Sequence, residues 1–124
     1  MTLSVDEIKH LKSQSEDALL ADIGRAVIKN KGGLQARPPS FKKMIAEAKS
    51  WLDAENERIR QAVCSSEKIR AAALSEPGST EKLLRLVADA VGSVAVYVPA
   101  GSVAEFLVRD GIPKYCKTIW AAKS

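Results

Sequence analysis

Between Phe41 and Leu52, apolar side chains recur at i, i+3, i+4, i+7, i+10 and i+11: Phe41, Met44, Ile45, Ala48, Trp51 and Leu52. A strand would scatter these six over both of its faces, whereas a helix of 3.6 residues per turn gathers them on one. The middle of the chain is therefore committed to an amphipathic helix, and whatever packs on that stripe must suit a helix. The stripe continues through Ile59, Ala62 and Val63. A long zipper would need the heptad to hold. Glu55 and Ser66 fall on its seam, so a bundle helix fits better. Cys64-Ser65-Ser66-Glu67 marks a break, and a short helix to Leu74 follows.

Three further stripes read the same way. Ser4-Val5-Asp6-Glu7 is a capping box, with Leu3 and Ile8 at the staple positions. Ile8, Leu11, Leu19, Ile23 and Val27 follow, with a polar stretch from Lys12 to Asp17 that predicts either a wet turn or a break near Ser13. Terminal cations and Gly32-Gly33 close that helix. Residues 31–39 read as a loop ending in Pro38-Pro39, after which Ser40 caps the central stripe. Ser75 to Ser79 reads as a turn. Leu83, Leu84, Val87, Ala90 and Val91 define a central helix, closed by Gly92, with Leu86 off the stripe. Ile112, Tyr115, Cys116, Ile119 and Trp120 define a last one, with Pro113 in its first turn.

Residues 93–98 are ambiguous. Val94-Ala95-Val96-Tyr97-Val98 suits a strand, and Gly-Ser-Val-Ala occurs both at 92–95 and at 101–104. An isolated hairpin would be marginal. A short helix or extended connector is expected there, then a helix from Val103 to Arg109 capped by Ser102 and ended by Asp110-Gly111. The fold class is all-α: a compact bundle of about five or six helices. With 124 residues and 46% hydrophobic content, residues 1–124 make one helical domain.

Composition closes off several kinds of chemistry. One histidine and two cysteines are too few and too scattered for a zinc site. The phosphate-loop and dinucleotide glycine patterns are absent, and no cofactor is expected. Asp6-Glu7 and Glu16-Asp17 fit helix first turns, and Asp53, Glu55 and Glu57 fit a solvated face beside Arg58 and Arg60. Thiol catalysis would have to pair a cysteine with His10. Cys64 and Cys116 are read as free thiols, the first at a helix end and the second a small core residue. Free thiols suit a cytoplasmic chain. Met1 to Glu7 has neither a basic nor an apolar leader region. The longest uncharged run, the 15 residues from Ala90 to Ala104, is too short to span a bilayer.

The charge of +4 is unevenly placed: −3 over 1–24, +6 over 25–49, −2 over 50–108 and +3 over 109–124. Lys29, Lys31, Arg37, Lys42 and Lys43 form a candidate patch for an anionic partner. Ser102 to Trp120 resembles a helix-turn-helix in outline, which would give Lys114, Lys117, Thr118 and Lys123 to nucleic acid. The fit is loose, since Leu107 and Lys117 stand where such motifs carry a small and an apolar residue. The reading favoured by exclusion is a non-enzymatic interaction or assembly module, self-associating or docking onto a larger protein, with a DNA-binding regulator as the alternative. Its positive support is the apolar excess from Leu83 to Trp120. No small-molecule ligand is indicated.

Overall fold

Serine side chains begin the first four helices of this chain, whose computed structural model describes residues 3–32, 39–75 and 80–122. Ser4 opens α1 (Val5–Ser13): its hydroxyl accepts from the Glu7 amide at 3.1 Å while the Glu7 carboxylate accepts from the Ser4 amide at 3.0 Å. Gln14 is extended, and Ser15 then caps α2 (Glu16–Asn30). The polar stretch is thus a true break. Ser15 rather than Ser13 supplies the cap, because the Ser13 hydroxyl is donated to the His10 carbonyl at 2.7 Å. Gly32 follows α2 with φ of 74°, a conformation that favours glycine. Ser40 caps α3 (Phe41–Cys64), and Ser66 caps α4 (Glu67–Ala73). Then come α5 (Thr80–Val94), α6 (Ala100–Asp110), α7 (Ile112–Tyr115) and α8 (Lys117–Ala122). The protein is all-α, and the described residues hold eight helices and no strand.

Two helix pairs face each other. α2 packs most extensively on α3, α5 packs on α6, and across the interface α2 meets α6 and α3 meets α5. α1 covers α6, and α4 rests on α5. One buried cluster draws on every helix: Ile8, Ile23, Trp51, Ile69, Val87, Val103, Ile112 and Trp120 are among its members. The α2–α3 approach is unusually close. A Cβ on Gly24 would stand 1.7 Å from the carbonyl oxygen of Met44, so only a residue without one lets these backbones meet.

A half-buried ion pair within α6 positions the arginine that ties this helix to α1. Glu105, 5% exposed, accepts from Arg109 Nε at 2.6 Å. Arg109 Nη2 donates onward to the Leu11 carbonyl at 2.9 Å, which also accepts from the Gln14 amide at 3.2 Å where α1 ends.

Several expectations are corrected. α5 runs through Gly92, where it was expected to close, to Val94, and residues 95–99 form the irregular turn to α6, in keeping with the expected connector. α6 begins at Ala100 after Pro99, a turn earlier than expected, so Ser102 lies inside the helix and caps nothing. Glu105, three residues on, pairs with Arg109. The last helix is split: Cys116 interrupts it, leaving α7 and α8 as pieces of 4 and 6 residues. Cys64 and Cys116 are not free thiols. They form a disulfide, with Cα atoms 5.4 Å apart. Helix stripes place both side chains on apolar faces, and packing α7 against the end of α3 brings those faces together. The turn expected at 75–79 lies outside the described residues beyond Ser75, as do Gly33 and Pro38.

Candidate functional site

The basic residues of the sequence reading are placed at two helix ends. Lys29 is exposed in the last turn of α2, where a cation suits the helix dipole. Lys31 forms an ion pair with Glu47 on α3 at 3.2 Å. Lys42 and Lys43 are exposed in the first turn of α3, where the dipole opposes them. Arg37 lies outside the described residues.

The second basic set does not lie on one recognition helix. Lys114, on α7, reaches Asp110 at 3.4 Å. Lys117 and Thr118 are exposed at the start of α8, and Lys123 lies outside the described residues. Both short helices are fastened to α3 and α4. The Trp120 indole donates to the Cys64 carbonyl at 2.9 Å, and the Arg70 guanidinium lies 5.6 Å from its ring centre. The Tyr115 hydroxyl donates to the Asn56 side-chain oxygen at 3.3 Å, with Arg60 5.0 Å over the ring. Burial pushes the Tyr115 phenol above its ordinary pKa, against the opposing pull of Arg60. Lys114, Lys117 and Thr118 are thus exposed on a segment fastened by its aromatic side chains and a disulfide.

Two features went unmarked in the sequence. The first is the α5–α6 turn. Val96 is 85% exposed and Tyr97 41% exposed. The turn is braced from behind: the Trp51 indole donates to the Tyr97 hydroxyl at 2.6 Å, and Arg58 donates to the Val94 carbonyl at 2.6 Å. The Trp51 and Tyr97 rings meet edge to face, 6.3 Å apart. Lys29 and Asn30, at the end of α2, border Tyr97. The β-branched run ending at Pro99 was the available signal, and it reads equally well as a strand.

The second feature is a groove of about 550 Å³ between α1 and the first turn of α6. Leu3, Leu11, Pro99 and Ala100 make its apolar wall. Asp6, Glu7 and His10 line it from α1, and Gly101 and Ser102 from α6. The Glu7 carboxyl is held below the usual carboxylate range, chiefly by the Ser4 backbone amide and then by the Ser4 hydroxyl. His10 lies 3.2 Å from the Gln14 amide nitrogen. No nucleophile–base pair is formed there. Among the described residues no cluster of three or more His, Cys, Asp or Glu is placed to hold a metal ion, and no helix is long and apolar enough to cross a membrane. No family model, curated protein or solved structure matches the chain.

Proposed function

We propose that this chain is a small, non-enzymatic interaction module that associates with itself through the α5–α6 turn. The observation that carries this reading is Val96: a large apolar side chain at 85% exposure, on a turn braced by Trp51 at Tyr97 and by Arg58 at the end of α5. Interfaces favour a pre-ordered apolar and aromatic anchor, because little conformational freedom is then lost on docking. Lys29 beside Tyr97 supplies a cationic rim, and the acidic first turn of α1, Asp6 and Glu7, offers a complementary one on a second copy. The apolar excess from Leu83 to Trp120 no longer supports the reading, since most of it is consumed in the core. The buried disulfide favours an oxidising compartment over the cytoplasm that free thiols would suit.

Light scattering behind size exclusion, at about 100 μM, tests the proposal. The expected outcome is a mass above that of the 13.4 kDa monomer, reduced to monomer by Val96→Glu with an unchanged melting temperature. A wild-type chain that stays monomeric sinks self-association.

A further inference from the structure

The α1–α6 groove carries hydrogen-bonding groups that the fold leaves unused. α6 is 11 residues long, and its N-cap is Pro99, which contributes no capping side chain. The first amide of α6 to find a backbone acceptor outside the helix is that of Val103, which donates to the Pro99 carbonyl at 3.2 Å. The amides of Ala100, Gly101 and Ser102 thus stand at the positive end of the helix without an acceptor among the described residues, a ready-made site for an anionic group. The second observation is Ser102 itself. It is 4% exposed and lines the groove, yet its hydroxyl makes no hydrogen bond to a described residue. A buried hydroxyl in a helix ordinarily returns to a carbonyl one turn back. This one is available to a ligand.

The opposite side has the opposite sign. Asp6 and Glu7 project from the first turn of α1 into the same lining. A lone anion at the α6 amides would meet these carboxylates, and like charges in a partly dry groove repel. An anion that brings its own cation does not suffer that repulsion. Between the two charged ends lie Leu3, Leu11 and Pro99, an apolar floor with no polar demand. The volume of about 550 Å³ is in the range of small-ligand sites and matches a molecule of two or three residues better than a single amino acid.

We propose that this groove binds a short apolar peptide by both of its termini. The carboxylate accepts from the amides at the start of α6 and from the Ser102 hydroxyl. The terminal ammonium lies against Asp6 and Glu7, and the side chains rest on Leu3 and Leu11. The groove includes neither Val96 nor Tyr97 but shares Asp6 and Glu7 with the rim proposed for self-association, so the titration below is also run on Val96→Glu, in which that contact is absent.

The test is a titration of the intact, disulfide-bonded chain with the tripeptide Leu-Ala-Leu, up to about 5 mM, followed by amide chemical shifts. Three ligand arms are compared: the free tripeptide, its C-terminal amide and its N-acetyl form. The free form should shift the Gly101 and Ser102 amides saturably. Amidation should weaken binding by about tenfold or more, and acetylation by at least about threefold. Asp6→Asn, an exposed substitution, should weaken the free tripeptide but leave the affinity of the acetylated form unchanged. Ser102→Ala should reduce the difference between free and amidated forms. If that variant does not fold, Asp6→Asn and the ligand arms still decide. Absence of saturable shifts with the free tripeptide overturns the proposal. So does equal affinity for the free and amidated forms, or for the free and acetylated forms.

Discussion

Gly24 shows how one residue without a side chain sets the geometry of a helix pair. In an isolated helix, glycine is worse than alanine by roughly 1 kcal/mol, so propensity alone says that Gly24→Ala stabilises. The structure reverses the sign. The new Cβ would lie 1.7 Å from the Met44 carbonyl oxygen, and a backbone atom cannot swing aside as a flexible side chain can. α2 and α3 would have to separate, loosening contacts of Ile23 and Val27 with the α3 stripe. Overpacking of this kind costs about 2–3 kcal/mol, enough to outweigh the propensity gain. The melting temperature should fall by about 6 °C or more, and a thermal scan beside wild type decides. A rise would mean that the helices part at no cost. Nothing in the sequence marks Gly24: it sits inside an uninterrupted stripe, and its role exists only once a second backbone is placed against it.

Helix starts and apolar faces were legible because both depend on local sequence. Ser4 and Ser40 cap where their spacing to the following stripe puts them, α3 and α4 part at the break marked by Cys64 to Glu67, and Met44, Ala48 and Trp51 bury the face their period predicts. Gly111, with φ of 105°, ends α6 where Asp110-Gly111 marks a stop. Elements went wrong where a long-range contact outweighed the local signal. The stripe from Ile112 to Trp120 is real, yet the helix breaks at Cys116, which is bonded to the end of α3. The groove was hidden for a similar reason. Its two walls come from opposite ends of the chain, and its donors are backbone amides that no motif encodes. What holds α8 follows from its contacts: Trp120 is 7% exposed and bonded to the Cys64 carbonyl, whereas Lys117 is exposed. Trp120→Ala should therefore destabilise by roughly 3–5 kcal/mol through cavity and hydrogen-bond loss. Lys117→Ala should stay within about 0.5 kcal/mol. Urea unfolding of both variants checks this, and comparable losses would show that the basic face, not the indole, anchors the helix.

At the scale of the whole molecule, the Cys64–Cys116 bond acts on the unfolded chain as much as on the folded one. The two cysteines are 52 residues apart, and the closed loop contains α4, α5, α6 and α7. Closing a loop of that length removes enough freedom from the denatured ensemble to stabilise by roughly 4 kcal/mol in the entropic model, with 2–4 kcal/mol typical in practice. For a chain of 124 residues that is a large fraction of the whole stability. Both residues are buried, at 2% and 0% exposure, so the bond is shielded from reductant while the fold holds. Two measurements follow. Protein purified without reductant and denatured in guanidinium should present no titratable thiol, where free cysteines would present two. The double variant Cys64→Ala, Cys116→Ala should unfold at lower denaturant, with a loss of about 2–4 kcal/mol. The loss should not simply add to that of Trp120→Ala, because the indole hydrogen-bonds the carbonyl of Cys64 and both devices fasten the same end of the chain to α3. Once the disulfide is gone, α7 and α8 are held by Trp120, by Tyr115, by their cationic neighbours and by the core face of Ile112, and Trp120→Ala in that background should leave the segment undocked. Amide exchange over residues 112–122 reads this directly. Protection that survives all three substitutions would mean that the core face of Ile112 is sufficient, and that the covalent bond contributes only through the unfolded state.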